Sequence, residues 1–225
     1  MRDTLTIGLP GIDRLPSIDR ARAGERGITI GDFLVPIRIS ERLGTRARHL
    51  GLILAGTLLI AASAQVSFKI GDNPVPFTGQ TFGVLLSAGA LGFRRGLAAS
   101  LLYLVLGVVG LPIFASGAHG LGELEGASGG YLVGFVLASA IVGRLAELGW
   151  DRTVRGSIGA MLLGSVAIYA VGVPWLAISF FGGDIQPAIA NGLTPFLLWD
   201  AVKLALAAAA FPAAWWFVGR RPGDR

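Results

Sequence analysis

The chain has 225 residues, of which 53% are hydrophobic and 15% charged, with 19 Lys plus Arg against 14 Asp plus Glu; its mean hydropathy is +0.66. That balance excludes an ordinary soluble domain and points to an integral membrane protein, so the basic excess is read as charge in the joints between spans rather than as a nucleic-acid footprint. The absence of Cys excludes disulfides, iron–sulfur clusters and thiol catalysis.

Residues 1–45 mix Arg, Asp, Pro and Gly with short apolar pieces such as Ile28 to Ile39. They lack the continuous apolar core of a signal peptide and are expected to form a flexible cytoplasmic tail, with a short amphipathic segment lying on anionic lipid through its arginines as one option. Six apolar runs follow, at 49–68, 79–93, 96–115, 129–148, 156–181 and 193–219. All but the second approach or exceed the ~20 residues that cross hydrocarbon. The fold class expected is therefore an all-α integral membrane protein with six transmembrane helices, over residues 46–222, holding an external ligand pocket.

The joints orient it. Arg46 and Arg48 precede the first run, Arg94 and Arg95 join the second and third, Arg152 and Arg155 join the fourth and fifth, and Arg220, Arg221 and Arg225 follow the sixth. The other joints carry only Lys69, beside Asp72, Glu123, Glu125 and Asp184. Positive charge stays inside, so both termini are expected to be cytoplasmic.

In the first external joint, VSFKIGDNPVPFTGQTFG, Pro74 and Pro76 stiffen the chain and bias Asn73 and Val75 toward extended conformations. Thr78 and Gln80 are thereby delivered at a defined place, under a rigid lid or beside an ordinary turn. The second external joint, GLPIFASGAHGLGELEGASGGY, is rich in glycine, which lets backbone approach a ligand or a moving neighbour. Tyr131 opens the fourth run, either stacking on a ligand or anchoring at the interface. His119 and His49 lack a second ligand at metal spacing and are read as loop and helix-start residues. Trp175 and Trp199 lie close enough to the external side to be pocket candidates.

The last run, NGLTPFLLWDAVKLALAAAAFPAAWWFVG, holds two charges, Asp200 and Lys203. A spacing of three places both on one helix face. With the topology above, Asp200 lies ~10 Å into the bilayer at ~1.5 Å per residue. An ionisable group there costs ~2.5 kcal/mol or more without a partner or a wet cavity. Two readings follow: an interhelical lock, or a site where the carboxylate accepts from N–H donors and the ammonium donates to a carbonyl of a neutral polar ligand. The sequence holds no phosphate-cradling Gly-rich loop with Lys-Ser or Lys-Thr, no His-Glu-x-x-His and no Gly-x-Ser-x-Gly, so neither nucleotide hydrolysis nor a familiar enzyme class is expected, and no cofactor.

PVPFTGQTFGVLLSAGALG, GLPIF, GGYLVGF and LLWDAVKLALAA, in this order, resemble the BioY family, the biotin-specific substrate-binding S components of energy-coupling factor transporters. The resemblance covers roughly residues 50–215. It implies a biotin pocket capped by external loops, with Asp200 and Lys203 on the ureido bicycle and Tyr131, Pro74, Pro76 and Gln80 at the family's matching positions. The partners it implies are a transmembrane T subunit and two cytoplasmic ATPases, in the cell membrane. Two departures stand out: Ala118 and His119 where relatives often carry Asn or Ser, and Gly51-x-x-x-Ala55 in place of an Ala-x-x-x-Ala docking motif.

Overall fold

The computed structural model describes residues 28–34, 37–71 and 73–219. A short helix α1 (Gly31–Leu34) precedes α2 (Ile37–Gln65), which breaks at Gly44 (φ 68°). Two-residue strands β1 (Ser67–Phe68) and β2 (Phe77–Thr78) pair antiparallel, Ser67 opposite Thr78. Then come α3 (Gln80–Leu91), α4 (Phe93–Val109), α5 (Leu121–Glu125), α6 (Gly129–Glu147), α7 (Val154–Phe180), α8 (Ile185–Gly192) and α9 (Leu197–Gly219). Apart from that strand pair the regular structure is helical, as expected.

Among the described residues, four stretches are long and apolar enough to cross a membrane: Arg46–Gln65, Gly129–Glu147, Val154–Phe180 and Ile185–Trp216. Their outward faces carry exposed apolar stripes. On α2, Leu50, Leu54 and Leu58 recur every fourth residue, and Leu58 is 67% exposed, a pattern that water disfavours and lipid tails accept. The expected second run is the 12-residue α3, ~18 Å long at ~1.5 Å per residue. It is short because it needs no lipid face of its own length: α3 packs against α2, α4, α6, α7 and α9 and forms the centre of the bundle. Its chain turns straight into α4 at Gly92, whose φ of 81° suits a residue without Cβ. The expected third run also ends early, at Gly110 (φ 119°), the left-handed cap of α4.

At the Arg94–Arg95 end of the bundle, residues 28–34 lie against the helices. Thr29 and Ile30 are buried, and the Phe33 ring meets Trp215 edge-on at 5.8 Å. Asp32 accepts from Arg95 at 2.7 Å and stands 3.6 Å from Arg48. Burial raises its pKa, but the Thr29 backbone N–H and Arg95 outweigh that and hold the carboxyl below its ordinary value. The expected flexible tail falls mostly on residues 1–27, outside the described residues.

Trp215 also donates its indole N–H to Asp151 at 2.6 Å, in the turn joining α6 to α7. Asp151 is 2% exposed and its Oδ1 has no hydrogen-bond partner. Desolvation pushes its pKa up to about 6, against the opposing pull of Trp215 and Arg152. A folded-state pKa above the unfolded value means that protonation favours folding, so this carboxyl supports stability at low pH and loses that contribution as pH rises through about 6. Asp151→Asn keeps an acceptor for Trp215 without the charge. It is expected to raise the melting temperature at pH 8 and to change it little at pH 4; melting curves at both pH values check this, and equal effects at both would refute it.

Candidate functional site

The site lies where the α2–α3 connection, the start of α6, the middle of α7 and the start of α9 converge. Its roof is built by the strand pair. Because β1 and β2 pair in register and the Gly79 N–H donates to the Val66 carbonyl at 2.9 Å, the Pro-Val-Pro segment must fold back over the bundle. Asn73 fixes it there: its Oδ1 accepts the Val75 N–H at 3.0 Å, and its Nδ2 donates to the Asn191 carbonyl at the end of α8 at 2.9 Å. Phe77 stacks on Phe196 at 4.3 Å and on Phe68 at 5.5 Å, so an aromatic slab joins the lid to the segment entering α9.

Beneath this roof is a cavity of about 40 Å3, lined among others by Pro76, Thr78, Gln80, Tyr131, Tyr169 and Lys203. Four of the five residues anticipated from sequence, Thr78, Gln80, Tyr131 and Lys203, therefore share one wall set. The fifth, Asp200, stands behind Lys203. Its Oδ1 accepts from the Lys203 ammonium at 3.2 Å, and its Oδ2 accepts from the Tyr169 hydroxyl. The two side chains are only 12% and 17% exposed. The expected one-face geometry on α9 is thus present, and a third group from α7 completes it.

Tyr169 is the candidate-site residue that no sequence signal marks. It sits in the continuous apolar run of α7, where a tyrosine is read as a belt or core residue, and its partner is 31 positions away. Its ring meets Tyr131 edge-on at 6.2 Å. Tyr131 itself donates to the Gly192 carbonyl at 2.8 Å, so it ties α6 to α8 as well as facing the cavity.

Gln80 plays an organising part. Its amide oxygen accepts from Thr78 at 2.9 Å and its amide nitrogen donates to the Tyr103 hydroxyl at 2.6 Å, which in turn donates to the Ile113 carbonyl at 3.1 Å. This chain of bonds links the α2–α3 connection to the segment after α4 through the bundle interior. Neither tryptophan candidate lines the cavity. Trp175 donates to the Gly126 carbonyl and covers Gly129 and Gly130, while Trp199 packs edge-on against Phe68 at 5.7 Å.

Above the cavity, and sharing Pro76, Gln80, Ser128 and Leu132 with it, opens a vestibule of about 470 Å3. Its other walls come from the second joint, residues Phe114 to His119 and Glu123, and from Lys69 and Pro74. Ser116 turns this loop with φ 57° and bonds Ser67 of β1 at 3.2 Å. No cluster of His, Cys, Asp or Glu able to hold a metal is found among the described residues.

The arrangement offers a buried, internally neutralised donor–acceptor pair below an aromatic lid, with an open antechamber above. The sequence profile of the BioY family matches residues 38–220. The chain belongs to the BioY family. A relative from Thermotoga maritima, named as a biotin transporter BioY, is 42% identical over 159 residues, covering 70% of this chain and 90% of its own length. One from Pyrococcus horikoshii, named as a probable biotin transporter BioY, is 36% identical over 164 residues, covering 72% of this chain and 93% of its own. The fold has a solved counterpart in the crystal structure of the S component for biotin from an ECF-type ABC transporter, with a TM-score of 0.68 and 24% identity over 75% of this chain and 90% of that one. This BioY-family chain is accordingly an all-helical, multi-pass membrane protein.

Proposed function

We propose that this chain is the biotin-binding S component of an energy-coupling factor transporter, a transport subunit and not an enzyme. It captures biotin from outside the cell membrane and delivers it inward together with a transmembrane T subunit and two cytoplasmic ATPases. The observation that carries the reading beyond family membership is the Asp200–Lys203 pair, neutral as a unit and mostly shielded from solvent, whose lysine lines the cavity. A neutral cyclic urea matches it in charge and in hydrogen bonding. Lys203 donates to the ureido oxygen, and Asp200, with lone pairs left after Lys203 and Tyr169, accepts a ureido N–H. Tyr131, Phe135 and Ile168 flank the sulfur-containing ring. At ~10–15 Å3 per water the cavity admits only a few waters in this conformation, so entry of a bicycle requires the lid to lift.

Six spans with both termini cytoplasmic suit this role, residues 46–222 forming the membrane domain and 1–45 a tail. The short α3 counts as a span because its neighbours cover it, and irregular backbone at membrane depth is tolerated where protein buries it. That topology opens the vestibule to the outside.

Titration of the purified chain in detergent with biotin, followed by competition with desthiobiotin and a panel of other vitamins, tests the assignment. Tight biotin binding displaced by desthiobiotin alone is expected. Preference for a different vitamin would refute it.

A further inference from the structure

The positive-inside pattern explains every Lys and Arg of the membrane part except two. Between Gly51 and Phe93, Lys69 is the sole Lys or Arg; from Gly96 to Gly143 there is none; and from Gly156 to Gly219 only Lys203 occurs. The two exceptions line neighbouring chambers. Lys203 faces the inner cavity and Lys69 the vestibule, and the two chambers share Pro76, Gln80, Ser128 and Leu132.

Their surroundings differ. Lys203 is neutralised by Asp200 at 3.2 Å, whereas no ion pair to Lys69 is found among the described residues. Among the described residues, the remaining ionisable groups of the vestibule are His119 and Glu123. Lys69 is exposed, but its origin is held: it directly follows β1, which is paired to β2 and bonded through Ser67 to Ser116 of the facing loop. The strand pair that presents Thr78 to the inner cavity thus presents a cation to the outer one.

We infer that Lys69 is the residue that binds the carboxylate of the ligand, at the vestibule end of a site whose other end is the Asp200–Lys203 pair. The inference rests on the biotin reading and deepens it. With the ureido ring at Lys203, the aliphatic arm passes Gln80 and Ser128 and its carboxylate emerges beside Lys69. The inner pair carries no net charge with which to hold an anion, and Glu123, the carboxylate among the described vestibule residues, would repel one. A carboxylate in this half-open space gains a charge-assisted contact while keeping much of its water, so the effect is moderate.

The test compares biotin with biotinamide, its neutral primary amide, by calorimetric titration of the full chain in detergent, as wild type, Lys69→Gln and Lys69→Glu. Lys69→Gln is expected to weaken biotin about fivefold, in the range of a partly exposed ion pair, and Lys69→Glu more. Biotinamide should bind all three alike, which also certifies that the variants fold. Parallel losses for acid and amide, or unchanged biotin affinity in Lys69→Glu, would overturn the assignment. Failure of the wild-type chain to bind either compound would instead remove the biotin reading, and this inference with it.

Discussion

Asp200→Asn is expected to weaken biotin binding by at least about thirtyfold. The carboxylate holds two donors from two helices, the Lys203 ammonium on α9 and the Tyr169 hydroxyl on α7. Asn can accept from one of them and must point its NH2 at the other. Lys203 is then left 17% exposed with an uncompensated charge; truncating one partner of a buried, hydrogen-bonded charge pair at a binding site costs ~2–5 kcal/mol, and every ~1.4 kcal/mol is tenfold in affinity. Calorimetric titration measures the loss, and melting curves separate a site from a lock. The double variant Asp200→Asn/Lys203→Gln removes both charges, so it should regain melting temperature while biotin binding stays lost. If single and double variants melt differently but bind biotin as the wild type does, the pair is only an interhelical lock.

Gly134→Val is expected to have the largest effect on the fold. A Cβ at Gly134 would stand 2.9 Å from Ile168 Cα and from the Ile168 carbonyl oxygen, backbone atoms that cannot swing aside. Valine therefore forces α6 and α7 apart. Overpacking costs ~1–3 kcal/mol, and at ~2–4 °C per kcal/mol for a chain of this size the melting temperature should fall by roughly 2–12 °C. Ligand affinity should fall with it, because Tyr131 stands on α6 and Tyr169 on α7, and their edge-on contact at 6.2 Å sets the width of the cavity. A variant with unchanged melting and unchanged affinity would show that the α6–α7 contact is looser than its backbone distances say. Small residues at such contacts are how membrane helices pack closely when the lipid provides no hydrophobic drive.

Much of the site was legible because its chemistry is out of place in its solvent. Asp200 and Lys203 stand out in an apolar run, and the Pro-Val-Pro lid announces rigid backbone, so Thr78, Gln80, Tyr131 and Lys203 could be named before they were seen to share a cavity. Tyr169 could not. A tyrosine in an apolar helix has several ordinary homes, and only the packing of α7 on α9 makes this one the second donor to Asp200. The same holds for Asn73, whose bridge to Asn191 spans 118 positions. Helix lengths divide in the same way. The run ending at Glu147 ends where expected, whereas the run from Gly79 shrinks to a 12-residue helix at the centre of the bundle.

Transfer free energy and motif order are properties of the chain alone, and they suffice for the solvent, the family and the residues whose charge that solvent would not tolerate. Which of those residues meet follows from packing, which adds partners no local pattern marks: Tyr169 behind Asp200, Asn191 under the lid, and Lys69 lining one vestibule with Glu123. Those meetings depend on distances between helices far apart in the chain, and such distances are set by packing, which no window of sequence contains.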